Sequence, residues 1–313
     1  MRALVIDKGS SLQRDYPAPA MTAGESIVRV RLAGICGTDL ELAKGYMDFR
    51  GVPGHEFVGE VVDSANASIL GRRVVGEINA GCAKCLACVG GLARHCANRT
   101  VLGILGRDGA FAEYLRLPDR NLIAVPDSIP DEMAVFVEPL AAAYEIFEQI
   151  KIPRNRCVLV LGDGRLGILV ALAMKAEGYD TILAGHHPQR AEQHGITAEP
   201  EHQLSDRFEV VVDCTGSASG FIRAVELVRP RGTVILKSTA AGSAALNLAP
   251  VVIDEITVLG SRCGRFAPAL EALASRKIDP RPLISATFSL EEGAAALEQA
   301  ANPSNLKVLL KPS

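Results

Sequence analysis

The chain has 313 residues, 48% of them hydrophobic, and a formal net charge of −3; it is too long for one ordinary core and implies two domains. With 29 glycines it reads as a buried α/β protein rather than a disordered or fibrous one. No run of basic residues interrupts this balance, which argues against nucleic acid or anionic membrane as the main partner. The start, MRALVIDKGSSLQRDYP, lacks the charged head, apolar stretch and small-residue cleavage site of a signal peptide. Apolar runs such as CVLVLG are too short to span a bilayer. The expectation is a cytoplasmic protein, in whose reducing compartment eight cysteines point to metal or catalysis rather than disulfides.

In chain order, the first part carries short strand-like runs at 3–6, 26–32, 56–62, 73–78 and 112–117, separated by Gly, Pro and Asp. Their alternation predicts a β-rich, partly barrel-like domain. Within it, Gly34-Ile35-Cys36-Gly37-Thr38-Asp39 sets one cysteine between glycines, and Gly54-His55-Glu56-Phe57-Val58-Gly59-Glu60 supplies a histidine. Taken singly, each of these two residues reads as an ordinary packed side chain.

Next comes GCAKCLACVGGLARHC, which spaces Cys82, Cys85, Cys88 and Cys96 as C-x2-C-x2-C-x7-C. Four thiolates so close predict a closed tetrahedral zinc site of the structural kind, with no coordination position left for substrate. An iron–sulfur run ordinarily closes with a shorter last spacing followed by Pro, which this stretch lacks. Further on, Glu138 precedes Pro139-Leu140 among apolar residues, where a buried carboxylate needs a partner and a cation is one. One Cys, one His and one or two Glu make a plausible catalytic zinc set with an open position.

The texture changes near Pro153. From Cys157 the chain reads as an apolar strand, a glycine turn, an apolar helix and a second strand, and this alternation continues to ITVLGSR. Such a pattern predicts a doubly wound parallel sheet. Gly162-Asp163-Gly164-Arg165-Leu166-Gly167 is a G-x-G-x-x-G lying between strand and helix, the context that makes it a dinucleotide fingerprint. Its glycines turn the chain, admit the pyrophosphate and let helix and strand pack, with the phosphates at a helix N-terminus. The second strand ends in Ala184-Gly185-His186-His187, with Arg190 one turn later. No acid stands there to bind a ribose hydroxyl, and three potentially cationic side chains do, so the reading leans to NADP while leaving NAD open. After an amphipathic helix at FAPALEALASRKI, a strand–helix–strand tail returns to the first domain. The expected boundaries are 1–150 and 268–313 for the β-rich domain, with a zinc lobe at 81–97, and 151–267 for the nucleotide-binding domain.

The motifs GICGTD, GHEFVGEV, the four-cysteine lobe, EPLA and LVLGDGRLG, in that order, resemble the zinc-dependent medium-chain dehydrogenase/reductase superfamily over essentially the whole chain. The resemblance is to its alcohol, sorbitol and threonine dehydrogenases. It implies a GroES-like catalytic domain, a Rossmann domain, two zinc ions per chain, and hydride transfer between an alcohol and NAD(P). By that pattern Cys36, His55 and Glu138 ligate the catalytic zinc, with Glu56 or water as a fourth ligand. Asp39 orients His55, Thr38 opens a proton relay, and Lys307 meets the cofactor phosphates. Glu41 stands where many relatives carry the relay's last histidine, so the proton leaves through Glu41 or water. The resemblance also implies a homodimer or homotetramer. A zinc-free quinone or enoyl reductase of the superfamily would lack Cys36, His55 and the lobe, and a zinc or redox sensor would not need the dinucleotide fingerprint.

Overall fold

The structure is a computed structural model that describes residues 1–7, 9–239 and 245–312. It divides into two compact units, one of Met1–Glu138 with Asp279–Ser313 and the other of Pro139–Ile278.

The first unit is built on a seven-stranded sheet. Its order is Ile284–Ser289, Lys307–Lys311, Glu25–Gly34, Glu56–Asp63, Arg73–Gly76 and Leu122–Ala124, and Tyr114–Pro118 also pairs with Glu25–Gly34. The central strand shows why the sequence folds this way. Val28, Val30 and Leu32 are buried while the intervening Arg29 and Arg31 face outward, the period of two that a half-covered strand requires. Arg29 then meets Glu60 directly across the ladder at 2.9 Å. All pairings in this sheet are antiparallel except that of the two C-terminal strands, which run parallel around the helix Gly293–Ala301. The returning strand Lys307–Lys311 lies beside Ala33 and Gly34, and Gly34 on its other side faces Glu56. Three remote stretches of sequence therefore converge at one end of this strand.

The second unit is a six-stranded parallel sheet. Its order is Thr197–Pro200, Thr181–Gly185, Val158–Leu161, Phe208–Asp213, Val228–Leu236 and Thr257–Gly260. In chain order this is 3-2-1-4-5-6, the Rossmann arrangement. Its first strand, Val158–Leu161, is buried throughout, as a parallel strand covered on both faces must be. The helix Arg165–Ala176 buries Gly167 through Met174 against the sheet.

The expected fold class holds in both units, but the division falls elsewhere than at 150/151 and 267/268. Apart from its first two residues, the helix Val137–Gln149 belongs to the second unit. Tyr144 Oη donates to Glu177, Gln149 Nε2 to the Gly260 carbonyl, and Lys237 Nζ to the Ala142 carbonyl at 2.5 Å. The helix Phe266–Ala274 lies in the same unit.

Candidate active site and metal centres

The ligand atoms of Cys36, His55 and Glu56 all lie within 4.8 Å of one another. Cys36 is the N-cap of the short helix Gly37–Ala43. Asp39, in the first turn, accepts from the Cys36 backbone N–H at 2.8 Å and from that of Gly54 at 3.1 Å. Its carboxylate is wholly buried and lies 3.3 Å from Nδ1 of His55. That is how a carboxylate orients an imidazole whose other nitrogen binds a metal. Gly54 is required immediately before the histidine. Its φ is +97°, and a Cβ there would sit 2.4 Å from the ring of Phe111, itself fully buried. Burial alone would lower the proton affinity of His55, but the nearby charge of Asp39, aided by Cys36, outweighs it and holds the pKa well above the ordinary histidine range.

Glu56 and Lys307 are each 1% exposed and form an ion pair. The ammonium also sits 5.6 Å from the centroid of Phe136. Within the first unit the ammonium of Lys307 is thus held by Glu56 and lies over an aromatic ring. With Cys36 as thiolate, the cluster of Cys36, Asp39, Glu56 and Lys307 carries three negative charges and one positive. A divalent cation would balance the two uncompensated negative charges, so the donor set fits zinc. The field that raises the proton affinity of His55 is the field such an ion would feel.

The other expected residues fall as follows. Thr38 Oγ1 lies 4.0 Å from the Cys36 sulfur. Glu41 is three residues further along the same helix, the spacing that shares a face, and salt-bridges Lys44 at 2.9 Å. Glu138 opens the helix Val137–Gln149 and is not among the three residues whose ligand atoms gather. The segment after the helix Gly37–Ala43 carries no expected site residue; in it Tyr46 and Met47 are exposed, and Met47 and Phe49 line a hollow of about 370 Å³ with Arg50 and residues 104–108.

The four lobe cysteines also gather, with all ligand atoms within 4.8 Å. The Cys82–Cys88 and Cys85–Cys96 sulfur separations are 4.0 and 3.7 Å. A tetrahedron with Zn–S near 2.3 Å has sulfurs roughly 3.8 Å apart, so the lobe fits a structural zinc. Backbone N–H groups of Lys84 and Cys85 draw the Cys82 thiol down to about 6, toward the thiolate a metal needs. Burial pushes the thiols of both Cys88 in the lobe and Cys157 up to about 11 and also raises that of Cys214, so this shift does not set the lobe apart from the strand cysteines.

The glycine turn joins Val158–Leu161 to the helix Arg165–Ala176. A Cβ on Gly167 would be 1.7 Å from the Gly162 carbonyl oxygen, so strand and helix meet there only because the side chain is absent. Nothing lies within 4 Å of the space beside Gly164, and the helix start has no side-chain cap. Open space before uncapped N–H groups is the cradle a pyrophosphate fits. His186 and His187 are exposed and Arg190 is half-buried after the neighbouring strand. The turn also carries a residue that sequence reading passed over. Asp163 is 8% exposed, and its carboxylate accepts from the His187 backbone N–H. The available signal was an acid inside the glycine turn paired with a second strand ending in glycine.

Fold and site together define an oxidoreductase of the zinc-binding, dinucleotide-dependent kind. Residues 22–127 match the model of the alcohol dehydrogenase GroES-like domain, and residues 166–276 match that of the zinc-binding dehydrogenases. A sorbitol dehydrogenase of Halalkalibacterium halodurans is 28% identical, with 100% of this chain and 99% of the relative covered. An L-threonine 3-dehydrogenase of Chelativorans sp. is 32% identical over 77% of each chain. An alcohol dehydrogenase of Escherichia coli CFT073 complexed with NADH superposes with a TM-score of 0.90 at 27% identity, covering 100% of this chain and 99% of the other. A zinc-binding dehydrogenase of Sinorhizobium meliloti bound to NADP gives 0.89 at 27% identity, with 99% of both chains covered. The chain belongs to the zinc-dependent medium-chain alcohol dehydrogenase family, whose members move hydride between an alcohol and NAD(P).

Proposed function

We propose that the protein oxidises a secondary alcohol bearing a neighbouring hydroxyl or amino group, a polyol or amino alcohol, to the ketone, and reduces the ketone in reverse. The observation that carries this reading is the gathering of Cys36, His55 and Glu56 around one point in a chain that also has the dinucleotide turn. The polyol and amino-alcohol class rests on relatives named as sorbitol, D-arabinitol and L-threonine dehydrogenases.

Cys36 and His55, with Glu56 or Glu138, would hold the catalytic zinc, and Cys82, Cys85, Cys88 and Cys96 the structural one. When bound, zinc supplies Lewis acidity that eases loss of the alcohol proton, and nicotinamide accepts the hydride. The chain's own residues do the rest. Asp39 fixes the imidazole, and Thr38, next to Cys36, takes the proton at Oγ1. Glu41 or solvent, one turn on, receives it. Lys307 holds the Glu56 carboxylate, so that this side chain is shared between an ammonium and the metal position. Gly162, Gly164, Arg165, Leu166 and Gly167 form the phosphate cradle.

A second copy of the chain is the proposed partner. The edge strand Thr257–Gly260 is largely exposed, and Leu248, Val252 and Ile253, shortly before it in the chain, are 56%, 75% and 76% exposed. An open edge with apolar neighbours suits a two-fold contact. Light scattering at micromolar concentration that returns the monomer mass would remove this part. Among the described residues no helix is long and apolar enough to cross a membrane. A reducing, cytoplasmic setting agrees with five of the cysteines gathering in metal-ligand sets.

The test is a screen of polyols, amino alcohols and simple secondary alcohols, following reduced-nicotinamide absorbance with both NAD and NADP. Turnover confined to polyols or amino alcohols, and lost in Cys36→Ser, is expected. Turnover only of simple alcohols would overturn the substrate class, and full activity of Cys36→Ser would overturn the site.

A further inference from the structure

Resting on the dinucleotide-dependent reading above, we propose that Asp163 is the residue that sets cofactor choice. It supplies from the glycine turn the carboxylate that the end of the second strand lacks, and it favours NAD over NADP. In Rossmann domains an acid at the end of the second strand binds the ribose 2′-hydroxyl. Here that strand, Thr181–Gly185, ends in glycine. It pairs in parallel register with Val158–Leu161, and the Gly162 N–H donates to the Ala184 carbonyl at 2.8 Å. The two strand ends are therefore adjacent.

Asp163 uses that adjacency. A Cβ built on Gly185 would fall 2.4 Å from Asp163 Cγ and 2.6 Å from its Oδ2. The carboxyl thus occupies the place where a side chain at position 185 would begin. One oxygen, Oδ2, accepts from the His187 N–H, and among the described residues Oδ1 has no hydrogen-bond partner. Oδ1 is available to a ribose hydroxyl. At 8% exposure the side chain is held in place, and its charge is poorly screened.

A 2′-phosphate brings up to two negative charges to the same place, and like charges there repel. The opposing groups are weaker. His186 and His187 are exposed, where solvent and salt screen a charge, and Arg190 already has a partner within the protein. Solved relatives at 27% identity hold NADH in one case and NADP in the other, so residues of this chain must decide.

The test measures dissociation constants of NADH and NADPH by fluorescence for the parent, Asp163→Asn and Asp163→Ala. Asn keeps an acceptor for the His187 N–H and loses only the charge. The parent should bind NADH at least about tenfold more tightly than NADPH. Asp163→Asn should shrink that ratio by about tenfold or more, chiefly through tighter NADPH. A parent that prefers NADPH, or a variant that weakens both cofactors equally, overturns the proposal and leaves Asp163 a turn-holding residue. If the variants fail to fold, the parent decides by displacement of a fluorescent nucleotide. Tighter binding of AMP than of adenosine 2′,5′-bisphosphate supports the proposal, and the reverse overturns it. A folded parent that binds neither dinucleotide overturns the underlying reading itself.

Discussion

Removing the ammonium of Lys307 should leave Glu56 as an uncompensated charge in the core of the first unit. Both side chains are 1% exposed, so solvent cannot take over. At an effective dielectric near 20 the gross attraction of a contact pair about 3 Å apart is roughly 5 kcal/mol. Breaking one partner of such a buried pair costs about 3–5 kcal/mol. The lost interaction with Phe136 adds up to about 1 kcal/mol. The cleanest background is Cys36→Ser, which weakens metal binding and leaves Lys307 the principal counter-charge to Glu56. In it, Lys307→Met should lower the melting temperature by about 6–24 °C, taking 2–4 °C per kcal/mol for a unit of this size. Adding Glu56→Gln should restore most of the loss, because a neutral pair needs no counter-charge. With Cys36 intact and zinc present, the Lys307→Met penalty should shrink, since the metal supplies the missing charge. Circular-dichroism melts of the five proteins, the parent included, decide the matter. A Lys307→Met effect below about 1 kcal/mol in the Cys36→Ser background, or no recovery when Glu56→Gln is added to it, would refute the reasoning.

Other perturbations give separate outcomes. Gly54→Ala should destabilise by about 2–4 kcal/mol, combining left-handed backbone strain with overpacking against Phe111, and should cut catalytic zinc affinity in a metal titration. Thr38→Ala should slow alcohol oxidation far more than Glu41→Gln, whose side chain is partly engaged with Lys44; an unchanged rate for Thr38→Ala would remove the relay. Glu113, against burial that would raise its pKa, is held below the usual 4.5 by the backbone N–H and guanidinium of Arg2. Its contribution is present above the unfolded carboxyl pKa and lost as pH falls through the lower folded value. Glu113→Gln should therefore be less stable than the parent at neutral pH, and the gap should close as pH falls below the ordinary carboxylate range, by urea midpoints.

The elements that fold on local pattern were the legible ones. The alternation of Val28, Val30 and Leu32 with Arg29 and Arg31 announced a half-buried strand, and the glycine turn between an apolar strand and helix announced the Rossmann unit. The lobe cysteines were legible because the whole ligand set lies within fifteen residues, from Cys82 to Cys96. Lys307 was not, since its partner Glu56 is 251 residues away and only the returning strand Lys307–Lys311 brings them together. Asp163 was hidden for a related reason. Its carboxyl matters through the neighbour across the sheet, Gly185, and a linear motif has no place for that contact. The boundary expected at 150/151 followed the change of texture near Pro153, whereas the hydrogen bonds of Tyr144 and Gln149 tie the helix Val137–Gln149 to the second unit.

Zinc content of the purified protein tests the central claim most directly. Elemental analysis should give two zinc ions per chain, about one in Cys36→Ser with the fold intact, and about one in Cys88→Ser with a large loss of stability. Structural zinc binding of this kind carries on the order of 10 kcal/mol of folding free energy. One zinc in the parent, or two retained in Cys36→Ser, would contradict the account.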